Sequence, residues 1–70
     1  MNSAGVVRAL EKLGCEFARH GKGSHDIYIR MVDGKRMMSP VPMGKKDMPR
    51  GTLGSIAAKL GFTIDDILDA

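Results

Sequence analysis

His25 is the residue in this chain best suited to do chemistry. It follows Gly23 and Ser24, with Gly21 and Lys22 just before them, so an ammonium, a hydroxyl and an imidazole sit within one short glycine-rich stretch. An unperturbed histidine titrates at about pH 6.5, which lets it give or take a proton near neutrality. The glycines beside Lys22 carry no side chain to hold a ligand away from the backbone. Cleavage of RNA by its own 2′-hydroxyl asks for such a set: a base for the hydroxyl, an acid for the leaving oxygen, and positive charge on the phosphate. That reaction requires no metal, and no cofactor is expected. A histidine in such a loop is also an ordinary surface residue. Alternation places it on the side of Ile27 and Ile29, which makes a partly buried rim position a further reading. His20 is a second acid–base candidate or an incidental strand-end residue.

Other chemistries fail on spacing. Gly21-Lys22-Gly23-Ser24 resembles the end of a phosphate loop, but the earlier glycine and the Lys-Ser order are missing, and there is no dinucleotide fingerprint. His20, His25, Asp26 and Cys15 have no recognised metal-ligand spacing. Cys15, the single cysteine, has no activating base near it in sequence and reads as a small packing residue. Phe17 and Tyr28 are the only aromatics expected on strands, too few for a platform that reads single-stranded RNA base by base. The six methionines, mostly on and after the hairpin, suit either gap filling or an adaptable partner surface.

The elements that position these residues follow from periodicity and punctuation. Ser3 or Asn2 can cap a first helix with Val6, Val7, Leu10 and Leu13 on one face, ended by Gly14. Cys15 to His20 reads as a strand entering the Gly21–Gly23 turn, and His25 to Val32 as a second strand rich in β-formers. Asp33-Gly34 is the strongest hairpin signal and predicts a third strand from Arg36 to about Val41. Pro40 and Pro42 confine that strand to a sheet edge or mark its end. Met43 to Met48 is a basic loop, and Pro49 fits the first turn of a second helix. There Leu53, Ile56, Ala57 and Leu60 share a face, and Gly61 caps the end. Thr63 with Asp65 and Asp66 opens a short last helix to Leu68. Two amphipathic helices must bury one face of the sheet and leave the other wet. The expected fold is therefore α+β, double-stranded-RNA-binding-domain-like: α-β-β-β-α with a C-terminal helical turn, in a single domain over residues 1–70.

Seventy residues allow one small core and a surface site. No stretch longer than eight residues lacks a charge, so a membrane span of about 20 apolar residues is excluded. The N-terminus lacks a basic segment followed by an apolar one, so no signal peptide is expected and the protein reads as soluble and cytoplasmic. Residues 19–50 hold eight basic against three acidic groups, a net of +5, whereas residues 51–70 carry Lys59 against three aspartates, a net of −2. A concentrated basic segment attracts polyanions, although cations scattered over a soluble surface would give the same count.

The segment Arg19-His20-Gly21-Lys22-Gly23-Ser24-His25-Asp26-Ile27-Tyr28 resembles the HicA toxins of bacterial toxin–antitoxin modules. So do Val41-Pro42 and Lys45-Lys46-Asp47-Met48-Pro49-Arg50-Gly51-Thr52-Leu53-Gly54-Ser55-Ile56, in the same order and spacing. With the first helix and its Leu-Gly ending, the likeness spans about residues 3–61. It departs from the family's usual pattern at Cys15, Met43, Gly44 and Gly54. The resemblance implies a double-stranded-RNA-binding-like fold, an mRNA interferase activity, catalysis by the histidine of the Gly-Ser-His motif (here Gly23, Ser24 and His25), and inhibition by a HicB antitoxin that covers the active site. Lys22, Lys45 and Lys46 are the leading candidates for phosphate contacts, followed by Arg36 and Arg50, while Ser24 is expected to orient the loop. The antitoxin is expected on the wet sheet face and hairpin. Two readings from other classes stand beside this one. The first is a non-catalytic RNA-binding module using the same basic face; the second is an interaction protein whose acidic end and methionine-rich strands serve a partner.

Overall fold

In a computed structural model that describes residues 1–70, the chain runs α1 (Ser3–Lys12), β1 (Glu16–His20), β2 (His25–Val32), β3 (Lys35–Pro42), α2 (Arg50–Leu60) and α3 (Ile64–Asp69). This is the expected α-β-β-β-α order with a short closing helix. The cap of α1 is Asn2, whose side-chain oxygen accepts from the Gly5 N–H at 2.8 Å. Ser3 lies inside the first turn and is buried. Its hydroxyl donates to the Pro42 carbonyl at 2.7 Å and accepts from the Lys45 N–H at 2.9 Å, tying the start of α1 to the end of β3. At the other end Gly14 takes φ of +91°, a left-handed conformation that lets the chain turn out of the helix.

The three strands form one antiparallel sheet in the order β1-β2-β3. Asp33 and Gly34 both have positive φ (51° and 77°), the two-residue turn whose twist matches that of the flanking strands. The register from His25↔Pro42 to Val32↔Lys35 follows from that turn, and β3 extends one residue beyond expectation at each end. Pro40 and Pro42 are tolerated because β3 is an outer strand. β1 pairs regularly until Ala18, where a bulge shifts the register between Phe17 and Arg19. The extra residue leaves Phe17 and His20 on one face, although a regular strand would place residues three apart on opposite faces.

The helices cover the sheet face that carries Tyr28, Ser39 and Val41. From α1 come Val6, Ala9 and Leu10; from α2 Leu53, Ile56, Ala57 and Leu60; from α3 Ile67. The four apolar residues of the α2 stripe are buried as the spacing predicts. Each is worth about 1.5–3 kcal/mol if large, so this stripe, rather than helix propensity, holds α2 in place. Pro49 is the residue before α2 and not part of its first turn, since its ψ of 148° is extended. The far end of α2 is held from the sheet. Arg30 donates to the Leu60 carbonyl at 2.8 Å and stacks its guanidinium 4.0 Å from the centre of the Phe62 ring. Thr63 and Asp66 form a reciprocal capping box at the start of α3.

The opposite face is open but not uniformly wet. Ile27 is buried there outside the main core, beneath the turn at Gly21. Met31 and Met38 are 60% and 42% exposed on that face, whereas Met48 is a core residue and Met37 and Met43 pack against the core. The methionines therefore divide between both roles that their chemistry allows. Cys15 is buried, as expected of a packing residue, and burial pushes its thiol pKa up, partly offset by the charge of Arg30.

Candidate functional site

The turn between β1 and β2 holds His25 by its backbone and its ring. Its N–H donates to the Lys22 carbonyl at 3.2 Å and its carbonyl accepts from the Gly21 N–H at 2.7 Å. The ring Nδ1 lies 3.1 Å from that same Lys22 carbonyl. A carbonyl only accepts, so Nδ1 carries the proton, and the neutral ring has its lone pair on Nε2. Two glycines make this geometry possible. Gly23 has φ of +60°, and a Cβ on Gly21 would stand 3.0 Å from the Ile27 Cδ1 and 3.2 Å from the His25 carbonyl oxygen. Ser24 contributes its carbonyl, which accepts from the Met43 N–H at 2.7 Å and anchors the turn to the chain leaving β3.

His25 lines a groove of about 360 Å³ between the outer edge of the sheet and α2. Pro40 and Pro42 form the strand side; Gly51, Thr52, Ser55, Ile56 and Lys59 form the helix side. The last four recur at spacings of three and four, which is one helix face. No carboxylate lines the groove, and its charged and polar side chains are a histidine, two hydroxyls and an ammonium. That set suits an anionic ligand. The first turn of α2 has no acidic residue and no side-chain cap, so the N-terminal end of the helix adds positive potential beside Gly51 and Thr52.

The structure divides the candidates named from sequence. Lys22 and Ser24 share the His25 turn, Lys45 and Lys46 lie exposed in the loop before α2, and Arg50 is the first residue of α2, next to the groove. None of these side chains lines the groove itself. Arg36 sits six residues along β3 from Pro42, about 20 Å from the His25 end of the sheet at the usual strand rise. Lys59, Thr52 and Ser55 do line it and were missed. By charge Lys59 belongs to the acidic C-terminal segment; the signal for its place in the groove is its i+4 spacing from Ser55 on the helix face next to the buried stripe.

His20 does not join His25 in the groove. It lies on the helix-side face, where its Nδ1 donates to the Asp26 carboxylate at 2.8 Å; its side chain is 84% exposed and that of Asp26 19%. Its ring packs edge-on against Phe17 at 5.3 Å between centroids. Adjacent residues of a strand face opposite ways, so Asp26 draws His20 to the face that His25 leaves. No three His, Cys, Asp or Glu side chains converge as metal ligands, and no helix is long and apolar enough to cross a membrane.

Fold and groove together define a small basic α+β domain of the double-stranded-RNA-binding-like order, with a histidine presented in a cationic, hydroxyl-lined groove. The family model described as HicA toxin of bacterial toxin–antitoxin matches residues 4–65, and the chain belongs to that family. Its role is that of the toxin of such a module, with a cognate antitoxin as partner. No curated protein and no solved structure gives a significant match.

Proposed function

We propose that this toxin is a metal-independent endoribonuclease, an mRNA interferase of the cytoplasm, neutralised by a HicB-like antitoxin. The observation that carries the reading is the commitment of His25 Nδ1 to the Lys22 carbonyl, which leaves Nε2 as a free base at the groove. Nε2 takes the proton of a ribose 2′-hydroxyl, the 2′-oxygen bonds to the adjacent phosphorus, and the bond from phosphorus to the 5′-oxygen breaks. The products are a 2′,3′-cyclic phosphate and a 5′-hydroxyl that takes its proton from water; His25 then returns its own proton to solvent. Lys22, Lys45, Lys46 and Arg50 contact flanking phosphates, Arg36 meets only an RNA long enough to reach the hairpin, and Ser24 orients the turn. The antitoxin lies over the open sheet face and hairpin, where Met31 and Met38 are exposed, and covers His25.

The test is induced expression of wild type beside His25→Ala in bacteria, following growth and the integrity of an abundant mRNA. Wild type should arrest growth with loss of mRNA, and His25→Ala should cut RNA about 10²–10⁴-fold more slowly. Equal arrest and cleavage by both would refute the mechanism. One observation favours a second reading: His20 is held by Asp26 away from the groove, so His25 has no second histidine beside it. A non-catalytic binder would retard RNA in a salt-dependent way and leave it intact.

A further inference from the structure

We infer that Lys59 is the groove's phosphodiester-binding cation, with the Ser55 and Thr52 hydroxyls as its hydrogen-bonding partners on the ligand. The inference rests on the ribonuclease reading and adds to it the group that meets the reacting phosphate. Four observations carry it. Lys59 is the only cation besides a protonated His25 that lines the groove. It is uncommitted: the ion pairs of the chain are Met1 with Asp47 and His20 with Asp26, and neither involves it. The hydroxyls of Thr52 and Ser55 make no hydrogen bond within the protein, although Ser3 and Ser39, which are buried, both do. Finally, the stripe of Thr52, Ser55 and Lys59 spans eight residues of one helix, seven rises or about 10 Å, a length comparable with one nucleotide step and its flanking phosphate.

The chemistry follows from the charge that develops. Attack by the 2′-oxygen gives a five-coordinate phosphorus whose non-bridging oxygens gain negative charge. An ammonium and two hydroxyl donors on the wall of a groove free of carboxylates stabilise that state more than the ground-state diester. His25 from β2 and Lys59 from α2 thereby approach one phosphate from the two walls of the groove. The exposed lysines of the loops supply a diffuse field that draws RNA in, whereas Lys59 acts at the bond that breaks. A plain alternative exists for Lys59, because a cation in the last turn of a helix complements its dipole. That role would affect stability and leave catalysis alone.

The experiment compares wild type, Lys59→Met, Lys59→Arg, His25→Ala and Lys12→Met, the last removing one exposed charge from α1, outside the groove. Cleavage of a single-stranded oligoribonucleotide is followed with kcat and KM separated. In parallel, binding of its 2′-O-methyl analogue, which cannot be cleaved, is followed by fluorescence anisotropy, and thermal unfolding is recorded for every variant. Lys59→Met should lower kcat about 10²-fold with little change in melting temperature. Lys59→Arg should recover most of that loss, and Lys12→Met should cleave like wild type. If wild type cleaves and Lys59→Met matches Lys12→Met, the assignment of Lys59 is wrong while the ribonuclease reading stands. If wild type cleaves no RNA, the ribonuclease reading has failed, and the analogue decides the groove. Weaker binding by Lys59→Met than by Lys12→Met keeps Lys59 as a phosphate ligand; equal binding overturns it.

Discussion

Replacing Ser3 with alanine separates two accounts of that residue by the sign of the effect. A serine at the start of a helix can be a cap, and one inside a helix is a weaker helix former than alanine by about 0.5 kcal/mol. In the structure the cap is Asn2, so on helix propensity alone Ser3→Ala should stabilise slightly. The tertiary contacts predict the reverse. The Ser3 hydroxyl is 4% exposed as a residue, donates to Pro42 at 2.7 Å and accepts from Lys45 at 2.9 Å. Alanine removes both bonds and leaves a carbonyl and an N–H facing a methyl group. At about 1 kcal/mol for each net bond, with a further cost for any partner left dry, the loss is about 2–3 kcal/mol. Subtracting the propensity gain leaves about 2 kcal/mol, or about 10 °C in melting temperature for a domain of this size. The assay is urea and thermal unfolding by circular dichroism, with hydrogen exchange at the Lys45 amide as the local probe. Asn2→Ala serves as the reference, at about 1 kcal/mol for a lost cap. Unchanged or increased stability of Ser3→Ala, with undiminished Lys45 protection, would refute the reasoning. Because Pro42 lines the groove, the same variant should also loosen the strand wall opposite α2.

Arg30→Met should cost about 2 kcal/mol in urea unfolding. It removes a charged hydrogen bond to the Leu60 carbonyl and the stacking on Phe62, worth about 1.5 and about 0.5–1 kcal/mol. A double-mutant cycle with Phe62→Leu should show coupling, and additive single effects would rule out the stacking contribution. Stability should fall on the alkaline side. Burial raises the Cys15 thiol first of all, and burial with the nearby carboxylates of Glu11 and Asp26 raises the Tyr28 phenol. A folded-state pKa raised above the unfolded one means that the folded state holds its proton longer. The stabilisation is therefore complete below the unfolded pKa, about 8.5 for a thiol and about 10 for a phenol, and is lost as pH rises through the folded values. Unfolding midpoints measured from pH 7 to 11 for wild type and Cys15→Ala should diverge in slope above pH 8.5. Parallel curves would show that the thiol is not the titrating group.

Most of the architecture was written in local pattern. The Asp33-Gly34 turn needs two left-handed residues, and those types adopt that conformation at little cost, so the β2–β3 hairpin and its register were legible. The α2 stripe was legible because four apolar residues at helical spacing have one way to leave water together. Gly14 and Gly61, with φ of +91° and +80°, marked where helices stop. His25 stood out by type and by its glycine-rich setting, and the order of motifs identified the family.

What the sequence by itself could not decide was which side chains meet. The bulge at Ala18 turns His20 toward Asp26 and Phe17, and nothing in the order of residues 15–20 signals an extra residue in the ladder. Ser3 reads locally as a cap, and only the return of the chain at Pro42 and Lys45 makes it a buried bridge. Lys59 belongs by charge count to an acidic segment, yet α2 packs beside β3 so that its Thr52–Ser55–Lys59 face closes a groove on His25. Secondary structure is set by interactions within a few residues, which a linear reading can follow. A site made from residues 25, 40–42 and 51–59 exists only once the core has packed β3 and α2 together, because the burial of Val41, Leu53, Ile56 and Leu60 determines which helix face remains for a ligand.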